Sequence, residues 1–202
     1  MSELKLTKSE LRGQRVKLAQ LRRYLPTLQL KKAMLQSEVN EARQEILKLE
    51  DMFHEKRLTV SDASGLLSDR IGLDIEKSAK VEKIKKRYEN IAGVDIPVFE
   101  EVLFEDFSYS LFDTPPWLDA YIVDLREMMR AKSQVLVAEE KKTVLERELR
   151  QVTIRVNLFE KNLIPKALQN IRKIKVFLGD QELAAVCQAK VAKAKIMKKK
   201  KR

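Results

Sequence analysis

The sequence predicts a mainly α protein: a long antiparallel two-helix coiled coil formed by the N- and C-terminal arms, with a small α+β region, a short helix plus β-hairpin, between them. Three observations carry that prediction. The 202 residues include only five Gly and five Pro, roughly half the usual share, so the chain has few turns. Charged residues make up 35% and hydrophobic residues 44%, the balance of long solvated helices with a narrow apolar stripe. Both arms repeat apolar residues in alternating steps of three and four, and the middle of the chain does not.

The first arm, residues 1–53, carries Leu11, Gln14, Leu18, Leu21, Leu25, Leu28, Lys32, Leu35, Val39, Ala42, Ile46, Leu49 and Phe53 at this spacing. Eleven of the thirteen are apolar, a heptad seam too regular for a strand or loop. Pro26 interrupts it. Proline removes a backbone donor and crowds the preceding turn, so a kink is expected, while the seam on both sides argues against a full stop.

The region 54–116 is the expected globular part, holding Gly65, Gly72 and Gly93 and a cluster of aromatics. SDASGLLSDRIGLD reads as loop or short helix, and IEKSAKVEKIKKRYENIAG as a helix ending near Gly93. From Val94 to Phe112 the residues are β-branched and aromatic, with Val98, Val102 and Phe104 on one parity and Leu103, Phe107, Tyr109 and Leu111 on the other. A β-hairpin near 94–112 is expected there.

The second arm, 117–196, opens after Pro115 and Pro116 and carries Leu145, Leu149, Val152, Val156, Phe159 and Leu163, then Ala167, Ile171, Ile174 and Leu178. The consecutive fours at 163, 167 and 171 are a stutter. Pro165 and Gly179 are candidate bends or breaks, and 197–202 is a basic tail. At about 1.5 Å per residue the arms span some 75 and 93 Å, and neither buries its stripe alone. Pairing them antiparallel places 54–116 at the far turn and brings both termini together.

Those termini are basic. Residues 1–32 hold nine Lys/Arg against two acids and residues 166–202 twelve against two, within a chain of net charge +11. The middle is mildly acidic.

The sequence offers little to enzymology. It has no GxxxxGK(S/T) phosphate loop, no GxGxxG, no HExxH and no GxSxG. One cysteine, Cys187, and one histidine, His54, exclude a disulfide framework or a Cys/His metal cluster within the chain. His54 reads as a polar residue at a helix end, and Cys187 as a small packing residue. No catalytic, cofactor-binding or metal-binding residue is expected, and no cofactor. There is no run of about 18 apolar residues and no secretion-type N-terminus, which points to a cytoplasmic or membrane-peripheral protein.

Three function classes fit a basic tip: a mechanical coiled coil inserted in an acidic partner, a basic scaffold or nucleic-acid-binding arm, and an adaptor on anionic membrane. The ends are Lys-rich and poor in aromatics, which disfavours nucleic acid. Composition leaves the choice open.

The segment LTKSELRGQRVKLAQLRRYLPTLQLKKAMLQ (6–36) resembles the N-terminal helix of the D subunit of V-type and A-type ATPases. NLFEKNLIPKALQNIRKIKVFLGDQELAAVCQAKVAKAKI (157–196) resembles the other end of that family, and GVDIPVF and TPPWLDA are similar to it as well. The resemblance implies a non-catalytic central-stalk rotor shaft of the rotary ATPase. Its termini would enter the hexamer of catalytic A and non-catalytic B subunits, and its other end would bear the small rotor F subunit and a funnel-shaped C/d subunit on the membrane ring. Nucleotide and ion sites belong to other chains, and neither nucleic acid nor direct membrane insertion is implied. The expected hexamer-contacting residues are Lys5, Lys8, Arg12, Arg15, Lys190 and Lys193. The expected seam includes Leu21, Leu28, Leu35, Ile46, Leu149, Val152, Val156, Phe159 and Leu163.

Overall fold

The computed structural model describes residues 4–65, 75–110 and 114–200, with side chains as far as Met197. In order these form α1 (Lys8–Ala63), α2 (Ile75–Ser78), β1 (Val81–Ile91), β2 (Val94–Phe104), α3 (Leu118–Asn157), a π-helical segment (Leu158–Leu163) and α4 (Ile164–Lys200). They fall into two compact units, Met1–Leu30 with Val152–Arg202, and Lys31–Gln151.

α1 starts where the sequence supplies a cap. The Thr7 hydroxyl accepts the backbone N–H of Glu10 at 3.3 Å, the T-x-x-E arrangement that satisfies an otherwise orphaned donor of the first turn. The helix then runs unbroken through Pro26 to Ala63, past the boundary expected at Phe53. His54 therefore lies inside a helix, exposed to solvent, and not at its end. Every seam position from Leu11 to Phe53 is buried or half-buried.

In the second unit, α1 and α3 are joined by Arg43–Glu146 at 2.7 Å, Glu45–Lys141 at 2.8 Å and Lys56–Glu127. Numbers rise along α1 as their partners fall along α3, so the helices are antiparallel. Between them lie Leu35, Val39, Ala42 and Ile46 from α1 and Val137, Ala138 and Leu145 from α3, all buried.

The segment expected to be a helix through Gly93 is one only from Ile75 to Ser78. From Val81 it is a strand paired antiparallel to β2 along its length, with a register shift between Val81 and Lys83 that leaves Glu82 as an extra residue. This bulge puts Val81 and Ile84 on one face although they are three apart, a spacing that mimics a helix. The hairpin thus spans 81–104 rather than 94–112. Phe107 and Tyr109 lie beyond it in irregular chain, their rings tilted by 38° with centroids 5.5 Å apart, and Leu111 and Phe112 fall outside the described residues, as does most of SDASGLLSDRIGLD.

The hairpin turn is Ala92–Gly93, with φ of 52° and 75°, both positive as a type I′ turn requires. The Asn90 side chain accepts the Gly93 N–H at 3.1 Å and donates to Asp95 at 2.6 Å. Val94, Ile96 and Val102 of β2 are buried. Arg126 of α3 secures the hairpin's base: its Nε donates to the Ser78 carbonyl at 2.8 Å, and its guanidinium sits 5.4 Å from the Phe104 ring centroid. Further along α3, Glu140 pairs with Lys86. The expected far turn does not contain this hairpin; it folds back along the flank of α3, because β2 has an apolar face to bury.

In the first unit the arms are again antiparallel, with Gln29 donating to Glu160 at 2.5 Å and Lys8 3.8 Å from Glu182. Leu21, Val152, Val156, Ala167, Ile171 and Ile174 are buried. The expected stutter is realised as the π segment, closed by the Ile164 N–H bonding to the carbonyl of Phe159, five residues back. A π turn absorbs one extra residue, so Val156 and Ala167, eleven apart in number, keep heptad phase across it. Pro165 follows at once. Its ring conflicts with the carbonyl four residues back in an α-helix, and the wider turn relieves that conflict.

Candidate functional site

The candidate site is the basic end of the first unit. Lys8 belongs to the first turn of α1 and is 3.8 Å from Glu182 of α4. α4 continues to Lys200, so a single helix of roughly 27 Å, at 1.5 Å per residue, overhangs the start of α1.

The six expected contact residues are all exposed, but the structure does not gather them in one cluster. Lys5 precedes α1, Lys8, Arg12 and Arg15 lie on its first turns, and Lys190 and Lys193 lie on the overhang, beyond Glu182. Because α4 is unbroken through Gly179, Arg172 and Lys175 share an azimuth with Lys190 and Lys193, five turns later. The tail residues Lys198–Arg202 have no described side chains.

Of the expected seam residues, Leu21, Leu35, Ile46, Val152 and Val156 are buried, while Leu28, Leu149, Phe159 and Leu163 are half-buried. Phe159 and Leu163 belong to the π segment, which contains no buried residue.

The overhang has a second property that charge counting misses. Every residue from Gly179 to Met197 is exposed, including Leu183, Val186, Val191, Ile196 and Met197, each more than half uncovered. At 100° per residue Leu183, Val186, Val191 and Met197 fall within an arc of about 140°, and Ile196 lies on the far side of the helix. Cys187, expected to be a packing residue, is exposed here like the residues on either side of it. The only sequence signal was the loss of heptad order after Leu178.

Elsewhere the surface offers shallow grooves. A pocket of about 580 Å³ is lined by Glu76, Lys77, Lys80, Glu105, Leu125 and Met129 among others, its titratable groups being two carboxylates and two amines. Among the described residues no group of His, Cys, Asp and Glu is arranged to hold a metal ion. None of their helices is long and apolar enough to cross a membrane.

Comparison with known proteins places this architecture. The family described as the ATP synthase D subunit matches residues 10–194. A V-type ATP synthase D subunit from Chlamydia abortus (strain DSM 27085 / S26/3) is 44% identical over 98% of this chain and 96% of its own length. The proteins of the same description from Chlamydia pneumoniae and Chlamydia trachomatis serovar L2 are 42% and 41% identical, covering 96% and 98% of this chain and 93% and 98% of their own lengths. With matched family, coverage and identity all extending over both arms and the hairpin, the chain belongs to the ATP synthase D-subunit family.

Proposed function

We propose that this chain is the central rotor shaft of a V/A-type rotary ATPase, passing torque between the A/B hexamer, which hydrolyses or makes ATP, and the membrane ion-translocating ring. The observation that carries this reading is the overhang of α4. A helix exposed on every side, with a broad apolar arc and one more apolar residue opposite it, is suited to a partner that surrounds it along its length. A collar at the centre of a ring of subunits encloses such a helix and still lets it turn.

The basic side chains suit the same task. Lys5, Lys8, Arg12, Arg15, Lys190 and Lys193 face acidic loops of the hexamer, and exposed pairs are individually weak and screened within about 8 Å at physiological salt. A shaft held by a few strong pairs would stick at each dwell. The other partners are the small rotor F subunit and the funnel-shaped C/d subunit, on the side away from the termini. The chain is a non-catalytic, cytoplasmic component peripheral to the membrane.

Single-molecule rotation tests the reading directly. With the hexamer fixed to glass and a bead attached to this chain through the hairpin turn, ATP should drive stepwise rotation of the bead. A bead that stays still while the same complexes turn over ATP makes the chain a stator component. Charge reversal at Lys8, Arg12, Lys190 and Lys193 together should weaken binding to the hexamer at low salt, and any one reversal should do little. Unchanged affinity in the fourfold variant assigns these charges to solubility alone.

A further inference from the structure

Both arms of the first unit are irregular at the same level. Gln29 is bonded to Glu160, and the arms are antiparallel, so Pro26 stands opposite the π segment Leu158–Leu163 and near Pro165. Each irregularity weakens its own helix. Pro26 has no N–H, which leaves the carbonyl of Arg22 without its helical donor. One residue on, the Thr27 hydroxyl donates to the Tyr24 carbonyl at 2.7 Å, a back-bond that bends helices. Opposite, the π turn interrupts the α-helical hydrogen-bond ladder and is followed by a second residue with no donor, Pro165.

Packing thins at the same place. On α1 nothing is buried between Leu21 and Leu30, and on the opposite arm nothing is buried between Val156 and Ala167. Leu25, Leu28, Phe159 and Leu163 stay partly exposed there, and the arms are linked by the polar Gln29–Glu160 pair. On the opposite arm buried residues resume at once on either side, with Val152 and Val156 in one direction and Ala167, Ile171 and Ile174 in the other, whereas α1 contributes Leu21 on one side and next Leu35 on the other.

We propose that the level marked by Pro26 and the Leu158–Leu163 π segment is a built-in compliant joint, at which both arms yield together while the flanking seams stay paired. The local physics is consistent. Opening this level breaks few good hydrogen bonds and exposes little newly apolar surface, which are the conditions for low-energy local opening. The joint is a property of the chain itself and stands whether or not the chain rotates.

Hydrogen–deuterium exchange on the full chain tests it. Amides of 23–30 and 158–166 should exchange at least about tenfold faster than those of 36–46 and 145–156. Equal protection in the two sets overturns the proposal. Pro26→Ala restores a donor on α1 alone, and if the arms yield as one it should slow exchange in 158–166 as well as in 23–30. Slowing confined to α1 means two independent flaws rather than a joint. A stiffened variant adds deletion of Asn162, which removes the extra residue of the π turn, and Pro165→Ala. It should bring both windows to the protection of their flanks; if it does not fold, the Pro26→Ala result alone decides.

Discussion

Leu35 and Leu145 are completely buried, at 0% exposure each, and both belong to the second unit, where α1 and α3 pair. Replacing Leu35 with Ala removes a fully covered isobutyl group from between two helices whose backbones cannot close the gap. Such truncations cost about 2–5 kcal/mol, rising with the volume the site fails to refill. Leu28 and Leu149 occupy the same heptad seams but remain partly exposed, so less transfer free energy is lost and a smaller cost, about 1–3 kcal/mol, is expected. Leu47, on the same helix as Leu35 but 61% exposed, provides the control, with a change within about 0.5 kcal/mol. Urea unfolding followed by circular dichroism, with all slopes compared, should rank the variants Leu35 and Leu145 first, Leu28 and Leu149 next, Leu47 last. If Leu35→Ala lowers the midpoint no more than Leu47→Ala, the seam does not hold the arms together.

Three further outcomes follow from particular sites. Gly13 and Gly179 lie in helices with nothing within 4 Å of an added Cβ, so Gly→Ala at each should stabilise by about 0.5–1 kcal/mol, read as a rise in thermal midpoint; a fall at either shows unseen crowding. Ala92 holds φ 52° ahead of Gly93, a conformation that Asn tolerates and β-branched residues resist, so Ala92→Asn should stabilise and Ala92→Val destabilise, each by roughly 1 kcal/mol; equal midpoints for the two would dismiss the turn strain. The hydrogen bond and charge of Lys56 hold the Glu127 carboxyl below its ordinary 4.5, and Glu127 in turn raises Lys56 above 10.5. A lowered carboxylate pKa stabilises the fold above about pH 4.5 and loses that contribution as pH falls through the folded-state value; Glu127→Gln should therefore differ from the parent at pH 7 and converge with it in acid, and a constant difference would contradict the linkage.

The arms were legible because burial in a coiled coil follows sequence spacing directly: each seam residue from Leu11 to Phe53 is covered by the partner helix whose own seam has the same period. Even the flaw was legible in outline, since the run of fours at 163, 167 and 171 registers the extra residue that the π segment absorbs. The first strand of the hairpin was not. Its bulge at Glu82 sets Val81 and Ile84 three apart, its Lys/Glu-rich composition favours helix, and its turn lacks the Asn-Gly signal because Ala92 occupies the left-handed position. Pairing with β2, whose Val94, Ile96 and Val102 need cover, overrides that local preference.

The candidate site was half legible for a different reason. Basic residues can be counted anywhere in a sequence, and the +17 carried by residues 1–32 and 166–202 is visible without coordinates. Whether an apolar residue near the end is core or surface depends on where the partner helix begins, and that is set by register. The Thr7 cap fixes the start of α1, the Lys8–Glu182 approach fixes which residue of α4 lies opposite, and every described side chain after Glu182, as far as Met197, is exposed. The same Leu, Val and Ile types that form a seam at 145–174 thus become, at 183–197, a surface awaiting something else. That exposure, more than the charge, is what sets 183–197 apart from the seam at 145–174.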